Sequence, residues 1–300
     1  MKAVILVALF FHSAVGVSTE GDYVRRGLEV VGKPDSLELY DVDKGQVLRE
    51  SAAYDEQGRI RRRTSFDHTG SFQTRTAYRH NDDGSLSAVT AYDEYDKQLW
   101  RHDYRYDGTE LQQEIYYNSG GNVEYTELYR YDGNGELIER ARYSATGLPQ
   151  WRTVYEHEPD EHRTVRTVYY GDGRIIRQGV EEYDSEGRKV REIRRDEVEE
   201  TYEEVHFSYD YRGRLAVERI SDAGGVLHSV RRLRYDEHDN VVEDVVETFD
   251  GTITRRTSYD YRYDRNDNWI ARVWHEREKP EFGPLIETFR THYRRIDYGD

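Results

Sequence analysis

Along most of this chain, polar turn residues interrupt short runs rich in Val, Ile, Thr, Tyr and Arg at a nearly constant interval. An aromatic residue is followed by Asp, and a Gly comes three positions later. The clearest instances are Tyr54, Asp55 and Gly58; Phe66, Asp67 and Gly70; Tyr131, Asp132 and Gly135; Tyr183, Asp184 and Gly187; and Tyr209, Asp210 and Gly213. Looser copies begin at Tyr40, Tyr92, Tyr106, Tyr143, Tyr235, Phe249 and Tyr263. Asp and Asn cap their own backbone in turns, and Gly accepts positive φ. The 7–9 residues between turns have strand composition. One unit is therefore a turn and a strand. Steps of 11–15 residues divide Tyr40 to Tyr263 into about 17 units of about 13 residues. The expected fold is all-β: a long antiparallel meander of about 17 short strands in one curled or spiral sheet, solenoid-like or barrel-like. Glu197 to Tyr211 has a helical charge content, but Val205, Phe207 and Tyr209 alternate, and it reads as strand.

The spacing within a unit predicts two unlike faces. Position Gly+2 is often apolar, as at Ile60, Phe72, Leu86 and Leu137, and Gly+8 is aromatic at Phe66, Tyr78, Tyr92 and Tyr143. An even separation in an extended strand places both on one side. Arg61, Arg63, Arg75, Arg140 and Arg142 fall at odd positions and are expected opposite. The Tyr-rich face must be buried, so the sheet is expected to curl with that face inside.

These units resemble the YD-repeat, or RHS (rearrangement hotspot), family, whose pattern is Tyr-Asp-x-x-Gly-Arg followed by Leu or Ile. Tyr54 to Ile60 and Tyr209 to Leu215 fit it. Tyr263-Asp264 through Trp269 resembles a variant ending in Gly-Asn-Trp, with Asp267 in place of the Gly. The resemblance covers about residues 40–270. It implies a β-strip that spirals into a hollow shell, or a role in adhesion and cell contact. The toxin and self-cleaving core segments of large members have no counterpart here.

Composition narrows the reading. The chain has 300 residues, 36% hydrophobic residues, 27 Tyr and a formal net charge of −16. A thick aliphatic core is not expected, and the aromatic content argues against disorder. The acidic balance speaks against a nucleic-acid partner or an anionic membrane. Ala3 to Phe11 is an apolar run behind Lys2, with small residues at Ala14 to Gly16. That suggests a signal peptide over 1–16, an N-terminal cap over 17–39, a repeat domain over 40–270 and closing strands over 271–300. The run is short for a membrane-spanning helix. There is no Cys, hence no disulfide framework.

No catalytic motif stands out. The loop beginning Asp41-Val-Asp43 has Ala52 at its twelfth position, and that beginning Asp264 has His275, where a calcium loop needs Glu. The segment from His157 to His162 has the wrong spacing for a zinc protease and contains Pro159. No cofactor, metal or catalytic residue is expected. The expectation is a non-enzymatic, exported, periplasmic or secreted scaffold offering a surface to a protein or glycan, without membrane insertion. Two alternatives are a partner or immunity component of a larger RHS toxin system, and a carbohydrate-binding module. The latter would show Trp100, Trp151, Trp269 and Trp274 exposed on one surface.

Overall fold

A computed structural model describes residues 30–42, 45–280 and 282–299. The expected signal peptide and most of the cap segment lie outside them. The described residues form twenty strands: β1 (Ser36–Asp41), β2 (Val47–Tyr54), β3 (Ile60–Phe66), β4 (Phe72–His80), β5 (Leu86–Tyr92), β6 (Gln98–Asp107), β7 (Glu110–Tyr117), β8 (Val123–Tyr131), β9 (Leu137–Ser144), β10 (Pro149–Glu158), β11 (Arg163–Tyr170), β12 (Ile175–Tyr183), β13 (Lys189–Asp196), β14 (Thr201–Tyr209), β15 (Leu215–Ser221), β16 (Leu227–Tyr235), β17 (Val241–Thr248), β18 (Ile253–Tyr263), β19 (Trp269–Glu278) and β20 (Ile286–Asp297). One 3-10 turn, Pro159–Glu161, is the only helical element among the described residues. Each strand pairs antiparallel with the next, and β20 pairs with β1 through Leu37 opposite Ile296. The sheet is thus a closed barrel. The expected count of about 17 falls short because strands also form before Tyr40 and after Tyr263. The expected spiral gives way to closure because β1 and β20 satisfy each other's edges.

The connections explain the turn signal. At 55–59, Asp55 Oδ1 accepts the N–H groups of Gln57 (3.0 Å) and Arg59 (2.9 Å). Gly58 has φ +80°, the left-handed conformation that its missing Cβ permits. Asp96, Asp239 and Asp267 take this conformation where the Gly is absent, as short polar side chains can.

A second irregularity corrects the two-face expectation. Tyr54 pairs with Ile60, but Ala53 pairs with Arg62, so Arg61 is an inserted bulge residue. The same one-residue shift occurs at the start of β4, β5 and β9. A bulge inverts the alternation beyond it. Gly+2 and Gly+8 therefore lie on opposite faces. Ile60, Tyr78, Leu86 and Leu137 share one face; Phe66, Phe72, Tyr92 and Tyr143 take the other. Arg63, Arg140 and Arg142 join the first set, since Arg140 pairs with Tyr129 and Arg142 with Glu127, while Arg75 lies opposite. The first face also holds Tyr104, Tyr116, Tyr125, Tyr259 and Tyr261. Leu37, Glu127, Glu192 and Val205, each under 2% exposed, lie on it, as expected where side chains converge inside a barrel. Exposed mid-strand residues such as Arg79, Leu128, Arg219 and Phe289 lie on the outer wall.

The repeat is therefore a hairpin of about 26 residues, not a single strand. Tyr54, His80, Tyr106, Tyr131, His157, Tyr183, Tyr209, Tyr235 and Tyr263 recur at 25–28 residues, at or within a residue of the ends of the even strands. They mark one rim, here the stapled rim. The connections after odd strands form the opposite rim, here the open rim. The predicted turn sites separate accordingly: those at Tyr54, Tyr131, Tyr183 and Tyr209 are on the stapled rim, and that at Phe66 is on the open rim.

Candidate functional site

Among the described residues, an extended polar cluster lies on the inner face across β6–β10. Tyr125, Glu127, Tyr129 and Tyr131 share one parity of β8, so Glu127 is carried inward among tyrosines. Arg140 Nε donates to Glu127 Oε2 (2.6 Å) and Arg142 Nε to Glu127 Oε1 (2.8 Å). Tyr129 OH donates to Glu127 (3.1 Å) and to Glu114 (3.2 Å). His102 Nδ1 bonds the other Glu114 oxygen. The Arg142 guanidinium stacks 3.8 Å from the Tyr125 ring centroid, and Trp151 lies 5.3–5.4 Å from both guanidinium groups. Tyr116 stacks on Tyr125 at 4.8 Å.

The electrostatics follow from this packing. Burial pushes the Glu114 carboxyl up, but the His102 contact, Arg140 and the Tyr129 hydroxyl outweigh it, leaving it below the ordinary value of 4.5. Burial raises the phenols of Tyr129 and Tyr125, and that of Tyr261 to about 12. Arg140, though desolvated, is held protonated chiefly by Glu127.

Similar clusters continue around the wall. Glu192, fully buried, receives Lys189 Nζ (2.8 Å) and lies 3.0 Å from Arg194. Tyr183 OH donates to Glu181 (2.6 Å), and Asp244 is gripped by Arg231 (2.8 Å). Chemically these carboxylates are occupied: Glu127 has both oxygens committed to guanidinium groups and one also to a phenol. The network serves as the wall's packing. Its signal in the sequence is an acid sharing the parity of a tyrosine run, as in Tyr125-x-Glu127-x-Tyr129.

The stapled rim has its own side-chain ring. Tyr131 OH donates to the Leu111 carbonyl (3.0 Å), Tyr209 OH to Lys189 (2.6 Å) and Tyr235 OH to Leu215 (2.8 Å). His157 Nε2 meets the Leu137 carbonyl at 2.8 Å in the same role. Each bond spans 20 residues and ties the end of an even strand to the start of the odd strand before it, the two strands of one hairpin unit. The Asp side chains cap the turns: Asp132 accepts from Asn134 and Glu136, Asp184 from Glu186 and Arg188, Asp210 from Arg212 and Arg214, and Asp67, on the open rim, from Thr69 and Ser71.

The four tryptophans share the inner face, but Trp269 is 8% exposed and lies under Arg294, whose guanidinium is 3.6 Å from the ring centroid. Arg290 covers Trp274 at 5.5 Å. They do not form the exposed surface that a sugar-stacking module would show. Two open depressions, of about 400 and 230 Å³, lie against the wall. The first is lined by the Arg234, Glu243 and Arg256 ion pairs, the second by Trp151 and the 171–173 connection. Among the described residues no group of three or more acidic or His side chains is placed to hold a metal ion.

Fold and lining together define the class: a closed, twenty-stranded antiparallel barrel with an ion-paired, tyrosine-rich interior. No known protein family matches the sequence, and no curated protein does. Among solved structures, a porin-like protein from Bacteroides uniformis is 10% identical over 89% of this chain and 99% of that one, with a TM-score of 0.36. A porin-like protein from Bacteroides vulgatus is 12% identical over 89% and 99%, with a TM-score of 0.32. The complex TcdB2-TccC3-Cdc42 is 11% identical over 91% of this chain and 17% of that one, with a TM-score of 0.29. Likenesses this distant say nothing of function.

Proposed function

We propose that this chain is a non-enzymatic, exported scaffold whose barrel presents a broad surface for contact with a protein or glycan. The observation that carries this reading is the commitment of the buried acids. Glu114, Glu127, Glu192 and Asp244 are each bound by cations or hydroxyls of the wall. A general acid or base needs a lone pair or proton free for the substrate; Glu114, Glu127 and Asp244 spend both oxygens on structure, and Glu192 Oε1, buried without a hydrogen bond, faces the Arg194 guanidinium. Export rests on the Ala3–Phe11 run.

The outer wall supports a barrel that does not enter a bilayer. A membrane wall needs an apolar outward band. Here the outer face carries Arg191 with Glu204 and Arg256 with Glu243. No helix among the described residues is long and apolar enough to cross a membrane. The acidic balance disfavours nucleic acid. Service beside a larger RHS-type toxin is the second reading, favoured by the Tyr-Asp turns. A glycan array and a pull-down against exported proteins of the source cell test the proposal. A specific glycan or protein ligand that competes for the outer wall or a rim supports it. Turnover of a glycan by the chain, abolished in Glu114→Gln, overturns it.

A further inference from the structure

Charge on the inner wall is not evenly matched. Elsewhere on this face cations pair with carboxylates: Arg63 with Glu50 (2.5 Å), Arg140 and Arg142 with Glu127 (2.5 Å each), Arg177 with Asp196 (2.5 Å) and Lys189 with Glu192 (2.8 Å). On β19 and β20 that pattern lapses. Arg272 lies between Tyr261 and His292 on the inner face, and Trp274 lies between Tyr259 and Arg290. Among the described residues, neither Arg272 nor Arg290 makes an ion pair. Arg272 Nη2 is 3.5 Å from His292 Nδ1, and its guanidinium is 5.0 Å from the Trp269 ring centroid. Its Nε is buried without a hydrogen bond. Arg290 is exposed and rests 5.5 Å from the Trp274 ring centroid. Burial keeps the phenols of Tyr259 and Tyr261 protonated, the second with a pKa of about 12, so neither answers the charge. The inward acids of β19 are turned to other groups: Glu276 accepts from Thr257 (3.1 Å), and Glu278 stands opposite Arg255.

We propose that this inner patch of β19 and β20 binds an acidic oligosaccharide, whose carboxylate is held by the guanidinium groups of Arg272 and Arg290. This rests on the scaffold reading and gives its glycan a class and a place. A half-buried cation without a counter-charge is costly, and a ligand carboxylate supplies that charge. The indoles prepare the donors. A guanidinium lying over a ring keeps its N–H groups in one plane, where a carboxylate accepts two at once. Access follows from size. Barrels of roughly 16–18 strands already enclose an aqueous channel, and this one has twenty. A sugar chain can enter such a channel, whereas a folded protein cannot press against its inner wall. The lining favours a sugar over an acidic peptide, since Thr257, Tyr259, Tyr261 and Thr288 share this face and offer hydroxyls to a sugar ring. Arginines already cover the tryptophan faces, so recognition is by charge and hydrogen bonds rather than by ring stacking.

The test is isothermal titration calorimetry of the exported chain with trigalacturonate, which should fill one site per chain. The dissociation constant should rise at least about threefold between about 50 and 300 mM NaCl, as screening weakens the contact. The same trisaccharide with its carboxyl groups reduced to alcohols should not bind. Arg272→Gln and Arg290→Gln should each weaken binding at least about tenfold, by loss of charged hydrogen bonds. Arg79→Gln, on the outer wall, should change nothing. Should Arg272→Gln misfold, the exposed Arg290 carries the test by itself. A thermal melt separates a ligand site from wall packing. Arg272→Met removes an unmet charge and should keep or raise the melting temperature, whereas Arg142→Met leaves Glu127 short of a partner and should lower it. No binding of trigalacturonate, equal binding of the reduced sugar, or binding indifferent to both arginines overturns the proposal. So does a hexaglutamate peptide that binds through the two arginines where the sugar does not, or a lowered melting temperature in Arg272→Met. A ligand found on the outer wall or a rim, with no anion held inside, removes this inference and leaves the scaffold reading intact.

Discussion

Glu127 is 1% exposed, yet two guanidinium groups and a phenol hydroxyl answer its charge. Removing one side of such a buried arrangement strands the other. Glu127→Ala should therefore lower unfolding free energy by about 3–5 kcal/mol, read from urea denaturation. Glu38, whose partner Arg295 lies on the exposed wall, should tolerate Ala with little movement of the midpoint. Glu114 adds a pH dependence. Its folded pKa lies below 4.5, so its stabilising contribution is full above that value and is lost as pH falls through the folded pKa. Stability should hold from neutral pH to about 4.5 and decline below it, with a shallower decline in His102→Gln. Circular dichroism melts across pH 3–7 would show it; an unchanged acid limb in His102→Gln would remove His102 from the cause.

At the scale of the element, the hairpin is the unit that can be added or removed. Excising 184–209 joins Tyr183 to Asp210 and recreates a Tyr-Asp turn while deleting β13 and β14. Strand direction and face are preserved, so an eighteen-stranded barrel with cooperative unfolding is expected. Excising 184–196 alone removes one strand, reverses the direction of all that follow and should yield an aggregating chain. Size-exclusion chromatography and far-UV dichroism separate the outcomes; equal behaviour of the two deletions would refute the hairpin unit. The turns and the all-β class were legible in the sequence because Asp and Gly act locally. The faces were not. Arg61 looks like any strand residue, and its bulge is set by how Tyr54 pairs with Ile60 across the turn. The inward carboxylates carry a parity signal alone: Glu127 shares it with Tyr125 and Tyr129, Glu124 does not, and the bulges decide which parity points inward.

Across the whole molecule, closure depends on a seam. Asn268, 3% exposed, donates to the Val31 carbonyl and to Tyr298 OH, and accepts from Val31 N–H. Tyr298 OH donates to Asp264 (2.8 Å), and Asp35 N–H to the Asp297 carbonyl (2.7 Å). Leu37 and Ala52 form a small apolar cluster beside it with Ile60 and Ile296. Asn268→Ala leaves buried groups unmet and should cost about 1–3 kcal/mol. Hydrogen exchange should then quicken first in β1, β19 and β20 and leave β9 to β13 protected; uniform acceleration would deny the seam its role.

Since residues 35 and 297 meet where a tenth connection of the stapled rim would stand, the barrel has no intrinsic first strand. Its chain order is a matter of where the ring was cut. A circular permutant joining Gly299 to Val30 through a short linker, and opened between Gly120 and Gly121 in an exposed connection, should regain the same barrel. The seam would then be an ordinary turn, and the site of earliest opening should move with the new ends.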